Sequence, residues 1–177
     1  MKIDLHSHSF YSDGVLSPSA VVKLASQAGC ELFSLTDHDT TQGSAEAKLE
    51  ADKLNLSLIN GVEISAFWRN MAIHILGLGI DINNDILQTG LEHNQKLRKE
   101  RAEKIALSLW RSGIKDALEK TQSFSKTDML TRTHFAQMLI SEGYCKDMKA
   151  VFRRYLTGKK PGGVSVEWKG FDEVVHW

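Results

Sequence analysis

Residues Lys2 to Gly14 read K-I-D-L-H-S-H-S-F-Y-S-D-G. The short apolar run of Ile3 and Leu5 predicts a buried strand, and His6 and His8 follow it two residues apart. Side chains alternate between the faces of a strand, so the two imidazoles leave its carboxyl end on the same side. Asp13 comes next, on a Ser12-Asp13-Gly14 turn. Two imidazoles and a carboxylate at one strand end make half of a site for Zn, Mn or Fe. Two surface histidines would explain the H-x-H equally well, so the rest of the chain has to decide.

Outward from this stretch the pattern alternates. Ser17 and Pro18 open a helix as N-cap and first residue, and Gly29 closes it; Val21, Leu24, Ala25 and Ala28 fall at helical spacing as its packing face. A strand over 31–36 ends in Asp37-His38-Asp39-Thr40, a helix runs from Gly43 to Leu54, and 57–65 reads as a third strand. Strand, helix, strand, helix, strand is the order of parallel α/β architecture. Met71 to Ile80 gives a fourth strand after a turn at Asn70, too short for anything but an antiparallel return. The second half is helical. Long helical periodicity covers Asn84 to Gly113, a helix capped by Thr131 runs to Gly143, a third covers Asp147 to Leu156, and Phe171 to Trp177 begins another. Thr157 to Gly163 is the most loop-like segment.

Composition narrows the function. Lys plus Arg and Asp plus Glu are both 22 in 177 residues, so no overall field attracts a polyanion and an anionic substrate needs local charge. The charge-dense run Glu92 to Lys104 is accounted for by a solvated helix face. Cys30 and Cys145 lie far apart, with no zinc-ribbon spacing, which fits a reducing compartment. No apolar run reaches membrane-spanning length, so a soluble cytoplasmic protein is expected, with no membrane partner.

The four predicted strands each end in, or carry, a metal-compatible residue: His6 and His8, then His38, then Glu63, then His74. Active sites of α/β sheets and barrels lie where such strand ends converge. Singly, His74 is explained as a core histidine, Glu63 as a strand-end carboxylate and Asp13 as a turn residue. Together they point to a metal cluster able to activate water and to neutralise a phosphoryl group.

The order D-L-H-S-H-S, S-D-G, T-D-H-D, G-V-E-I-S, then a histidine in the next strand, resembles the polymerase and histidinol phosphatase (PHP) superfamily. Within it the chain is similar to stand-alone bacterial phosphoesterases acting on nucleoside phosphates and on the 5′ ends of short RNA. The resemblance implies an α/β fold, a distorted (β/α)7 barrel carrying an inserted helical arm. The expected division is 1–83 as the N-terminal part of the barrel, 84–168 as the arm and 169–177 as the return to the barrel. It implies His6, His8, Asp13, His38, Glu63 and His74 as ligands to up to three divalent ions (Mn, Zn, Fe or Mg). Asp13 and His38 are the catalytic candidates, and Asp37 and Asp39 would support the imidazoles from behind. In the arm, Arg132 and His134 resemble residues that face the active site in the family, and Lys159 and Lys160 resemble its basic loop. Arginine offers phosphate a fork and lysine a point charge. Phe10, Tyr11 and Trp68 are aromatic candidates for base stacking, though a core or rim position explains each as well.

The family's later motifs, a histidine after a small-residue strand and a terminal aspartate-x-histidine, have no counterpart here, and His93 and His176 lack the context to replace them. The expectations are therefore an incomplete barrel, one or two bound ions, weak or absent turnover, and a homodimer through the open barrel edge. The expected activity is hydrolysis of phosphate esters of nucleotides or short 5′-phosphorylated RNA by metal-bound hydroxide. The alternatives are a histidinol-phosphate-type phosphatase and a non-catalytic metal- or nucleotide-binding fragment.

Overall fold

The computed structural model describes all residues from Met1 to Trp177. They form two compact units, residues 1–95 with 168–177, and residues 96–167.

In the first unit β1 (Ile3–Asp4), α1 (Pro18–Gln27), β2 (Leu32–Phe33), α2 (Ser44–Lys53) and β3 (Ser57–Leu58) alternate as the pattern predicts. The strands pair in parallel in the order β1-β2-β3, with Ile3 opposite Leu32 and Leu32 opposite Ser57. They are shorter than expected. Ile3 is 45% exposed, because β1 is an edge strand with a neighbour on one side only, and His6 and His8 lie in the loop beyond it.

The Ser17 hydroxyl accepts from the Ala20 N–H at 3.2 Å and Pro18 opens α1, as the capping signal requires. The packing face differs from the expected one. Pro18, Val22 and Ala25 are buried, while Leu24 is 53% exposed and Ala28 is exposed. This i, i+4, i+7 row brings Val22 and Ala25 into one cluster with Phe33, Ala47 and Ala51, with Val21 packed against it; of the expected face, Val21 and Ala25 contribute and Leu24 and Ala28 do not.

The expected single strand over 57–65 is two strands. Ile59 still donates to Phe33 O at 3.0 Å in the parallel sheet, and the chain then leaves to form β4 (Gly61–Trp68), which pairs antiparallel with β5 (Met71–Leu78). Gly61 permits the crossing. A Cβ there would lie 2.2 Å from Ser34 Oγ and 2.8 Å from Thr36 Cγ2. One face of β4 supplies Val62, Ile64 and Ala66 to a core with Leu87, Leu91 and Val174. The other face presents Glu63 and Ser65. The five strands are not closed into a barrel: three form the parallel sheet and two the hairpin.

α3 (Asp85–Arg111) is one continuous 27-residue helix. The second unit packs its Ile105 and Leu109 with Phe135, Met138, Leu139 and Leu156 in a core built on α5 (Arg132–Ser141), α6 (Met148–Val151) and a π-helical turn, Phe152–Leu156. α4 (Ala117–Gln122) follows a left-handed Asp116, φ +56°, and was not anticipated from the pattern. α7 (Phe171–Val174) closes the first unit beside β4. No helix is long and apolar enough to cross a membrane.

Candidate metal centre

Glu63 organises the site. It sits within β4, 5% exposed, where a parallel bridge sets it beside His38. Its Oε2 lies 3.2 Å from His6 Nε2, 3.1 Å from His8 Nε2 and 3.1 Å from His38 Nδ1, and its Oε1 lies 2.8 Å from His74 Nδ1. Asp13 has Oδ1 3.7 Å from His8 Nδ1 and Oδ2 3.9 Å from His38 Nε2. The ligand atoms fall into three overlapping triads, His6-His8-Glu63, His8-Asp13-His38 and His38-Glu63-His74, each within 4.8 Å. His8, His38 and Glu63 are each shared by two triads.

The donor set fits divalent cations. Three imidazole nitrogens surround one carboxylate oxygen that offers two lone pairs, and a neutral imidazole turns one ring nitrogen forward as an acceptor. Acceptors crowded on an acceptor are unfavourable unless a proton or a cation lies between them. Nitrogen and oxygen donors in this mixture suit Zn, Mn or Fe.

The electrostatics carry the same signature. Burial alone would raise the Glu63 carboxyl, yet the His74 and His8 hydrogen bonds and the charges of His38 and His74 outweigh it and hold it far below the ordinary carboxylate range. Burial likewise opposes the charged form of His8, but Glu63 and Asp13 overcome it and His8 is raised.

The backbone that delivers these side chains is tightly specified. At the S-D-G turn, Gly14 passes so close to the preceding loop that a Cβ would fall 2.4 Å from His8 O. Asp37 accepts from the Ser9 N–H at 2.7 Å and from the Ser9 and Ser12 hydroxyls at 2.6 Å each; Ser12 Oγ in turn lies 3.3 Å from His8 Nδ1. Burial raises the Asp37 carboxyl in spite of these donors. Asp39 accepts from the Ser65 N–H and hydroxyl at 2.7 Å each. The two aspartates thus grip the segments that carry the ligands. Ser9, Ser12, Ser65 and Asn94 complete this shell; only the serines of D-L-H-S-H-S-x-x-S-D-G and E-I-S gave a sequence signal, by their adjacency to the ligands.

The remaining candidates lie in the second unit. Arg132 is half-buried at the start of α5, lowered by burial and then by the charge of Arg98. His134 is buried, and its Nδ1 accepts from the Thr131 N–H at 3.1 Å as part of the helix cap. Lys159 and Lys160 are exposed on the turn after the π-helical segment. Among the aromatic candidates, Phe10 and Tyr11 pack against each other with ring centroids 4.9 Å apart. Trp68, 42% exposed, carries Arg69 over its ring at 4.4 Å.

Comparison with known proteins identifies the family. The chain is 42% identical over 176 residues to the 3′,5′-nucleoside bisphosphate phosphatase of Chromobacterium violaceum, covering 99% of this chain and 62% of that protein. It is 40% identical over 174 residues to the 5′-3′ exoribonuclease Rnm of Escherichia coli, covering 97% of this chain and 59% of that protein. The chain thus spans about six-tenths of the length of these relatives. A solved structure of an amidohydrolase from Chromobacterium violaceum, with bound sulfate and no metal, superposes with a TM-score of 0.96 at 42% identity, covering all of this chain and 63% of that one. The model of the PHP domain matches residues 4–168, from the strand before the first histidine pair to the far end of the helical segment, and the chain belongs to the PHP domain family.

Proposed function

We propose that the chain is the metal-binding part of a phosphoesterase that hydrolyses phosphate monoesters or diesters of nucleotides, 3′,5′-bisphosphates or short 5′-phosphorylated RNA. The observation that carries this reading is the convergence of four imidazoles on Glu63, with Asp13 beside His8 and His38. Relatives named as a nucleoside bisphosphate phosphatase and an exoribonuclease support the substrate class.

His6, His8, Asp13, His38, Glu63 and His74 are the proposed ligands. Bound divalent ions supply Lewis-acid activation of water and neutralise phosphoryl charge. With ions bound, each ligating imidazole would present a ring-nitrogen lone pair, and Glu63, held far below the ordinary carboxylate range, would bring its negative charge. Asp13, half-buried and near both His8 and His38, takes the proton of the attacking water at Oδ2. The water oxygen bonds to phosphorus, the P–O ester bond breaks, and the leaving oxygen takes a proton from solvent. In the second unit Arg132, His134, Lys159 and Lys160 are the proposed phosphate-binding residues, with the Arg98 charge beside Arg132 strengthening the attraction for an anion.

The strand order supports an incomplete distorted (β/α)7 barrel, with residues 84–168 as its inserted arm. One or two ions, a cytoplasmic setting and a homodimer through an open sheet edge complete the proposal. The test is turnover of 3′,5′-bisphosphate, 5′-phosphorylated RNA trimer and histidinol phosphate with Mn, before and after EDTA. Chelator-sensitive release of phosphate or nucleotide from the first two is expected. Preference for histidinol phosphate would overturn the substrate class, and the absence of metal binding would overturn the metal centre itself.

A further inference from the structure

His38 lies between two aspartates whose carboxylates make the same contact in opposite directions. Asp37 grips the N–H and hydroxyl of Ser9, the residue after His8, and Asp39 grips the N–H and hydroxyl of Ser65, two residues after Glu63. The D-H-D turn therefore sets the spacing of His8, His38 and Glu63 through two serine clamps.

The Asp39 half is held in place from further away. Its backbone is left-handed, φ +50°, a conformation that a non-glycine residue keeps only when its surroundings impose it. The Asp39 N–H donates to Glu63 O at 2.8 Å, and Asp39 O accepts from Gln95 Nε2 at 2.8 Å. Asn94, fully buried on α3, places both amide protons in the clamp: one on Asp39 Oδ1 at 2.9 Å, the other on Ser65 O at 2.8 Å. Asn94 Oδ1 has no protein partner. A flipped amide would set that oxygen against two acceptors, so only the observed orientation is compatible with Asp39 and Ser65. A buried asparagine with an unpaired carbonyl is unfavourable as core packing, and its position follows from the two donors it delivers.

We infer that Asn94 and Gln95 are positioning residues for the metal centre, acting through Asp39 and Ser65 on His38 and Glu63. The inference rests on the metal-binding reading above. Loss of such outer partners lowers metal affinity by about 10–100-fold in metal sites generally.

The test is calorimetric titration of the full chain with MnCl2, with the visible absorption of the Co2+ form reporting ligand geometry. Asn94→Ala and Asn94→Asp are expected to weaken Mn binding by about 10–100-fold and to alter the Co2+ spectrum. Gln95→Ala, at a half-buried position, is expected to give a smaller loss in the same direction. A purely structural role would lower the melting temperatures of the metal-free and metal-loaded forms equally, whereas a positioning role narrows the gap between them. Native affinity and a native spectrum in the folded variants would overturn the inference while leaving the metal centre standing. If Asn94→Ala does not fold, an unchanged Gln95→Ala decides against it. A native chain that binds neither ion would overturn both readings.

Discussion

His74 Nδ1 meets Glu63 Oε1 at 2.8 Å diagonally across the β4–β5 hairpin, where Glu63 stands opposite Leu76 and His74 opposite Ser65. This diagonal exists only in the observed register. A slip of one residue would send His74 to the opposite face and break the contact. The hairpin turn at Arg69 and Asn70, both left-handed, therefore helps to set the site from its far end.

Glu63→Gln removes the charge that four imidazoles share. Mn affinity, measured by calorimetry, is expected to fall by more than the range of about 10–100-fold seen for outer partners, because a primary donor is lost. Retention of native affinity would exclude Glu63 as a ligand.

Asp37→Asn tests the first serine clamp. An amide cannot accept from the Ser9 N–H, the Ser9 hydroxyl and the Ser12 hydroxyl together, so buried donors lose their acceptor. Denaturant unfolding is expected to show a loss of about 1–3 kcal/mol. A stability unchanged within error would mean that the clamp is slack.

The metal-free chain should show opposed pH limits. His8 is raised above its ordinary 6.5, so its contribution is fully present below about pH 6.5 and is lost as pH rises through the higher folded value. Glu63 is depressed below its ordinary 4.5, so its contribution is present above about pH 4.5 and is lost as pH falls through the folded value. For this pair the stabilising window lies between those limits. Melting temperatures of EDTA-treated protein from pH 4 to 9 should reveal the pair as the part of the profile that Glu63→Gln removes.

Arg132→Ala should weaken nucleotide phosphate binding. A charge-assisted hydrogen bond is worth about 1.5–3 kcal/mol, or about 10–150-fold in affinity. The loss is expected in KM for a 3′,5′-bisphosphate, with Mn affinity unchanged. An unchanged KM would remove Arg132 from the phosphate-binding set.

The α/β alternation and the antiparallel fourth strand were legible because caps, glycine stops and turn residues bracket apolar runs. The Ser17-Pro18 start and the Gly29 stop of α1 are found where those signals place them. The facing of α1 was legible in part: Val21 and Ala25 pack on the core as the spacing predicts, whereas Val22, equally apolar, takes the fully buried position in the cluster with Phe33, Ala47 and Ala51. The break at Asn60 was hidden because Ile59 and Val62 both suit strands, and a change of pairing partner leaves no mark in periodicity. The six metal-compatible side chains stood out by residue type and order, and the structure brings them together. Asn94 and Gln95 lie inside a charged helical run that reads as a solvated face, and their role depends on a contact across more than fifty positions in the chain.

The two sheets leave edges of very different length. β1 exposes two residues, too few to template a ladder, whereas β5 offers eight, with β4 as its only strand neighbour. Leu76 and Leu78 are partly exposed on that strand beside its backbone donors and acceptors. An eight-residue edge is long enough to pair with a further strand, and a charged side chain on it would act as a gatekeeper against edge-to-edge association.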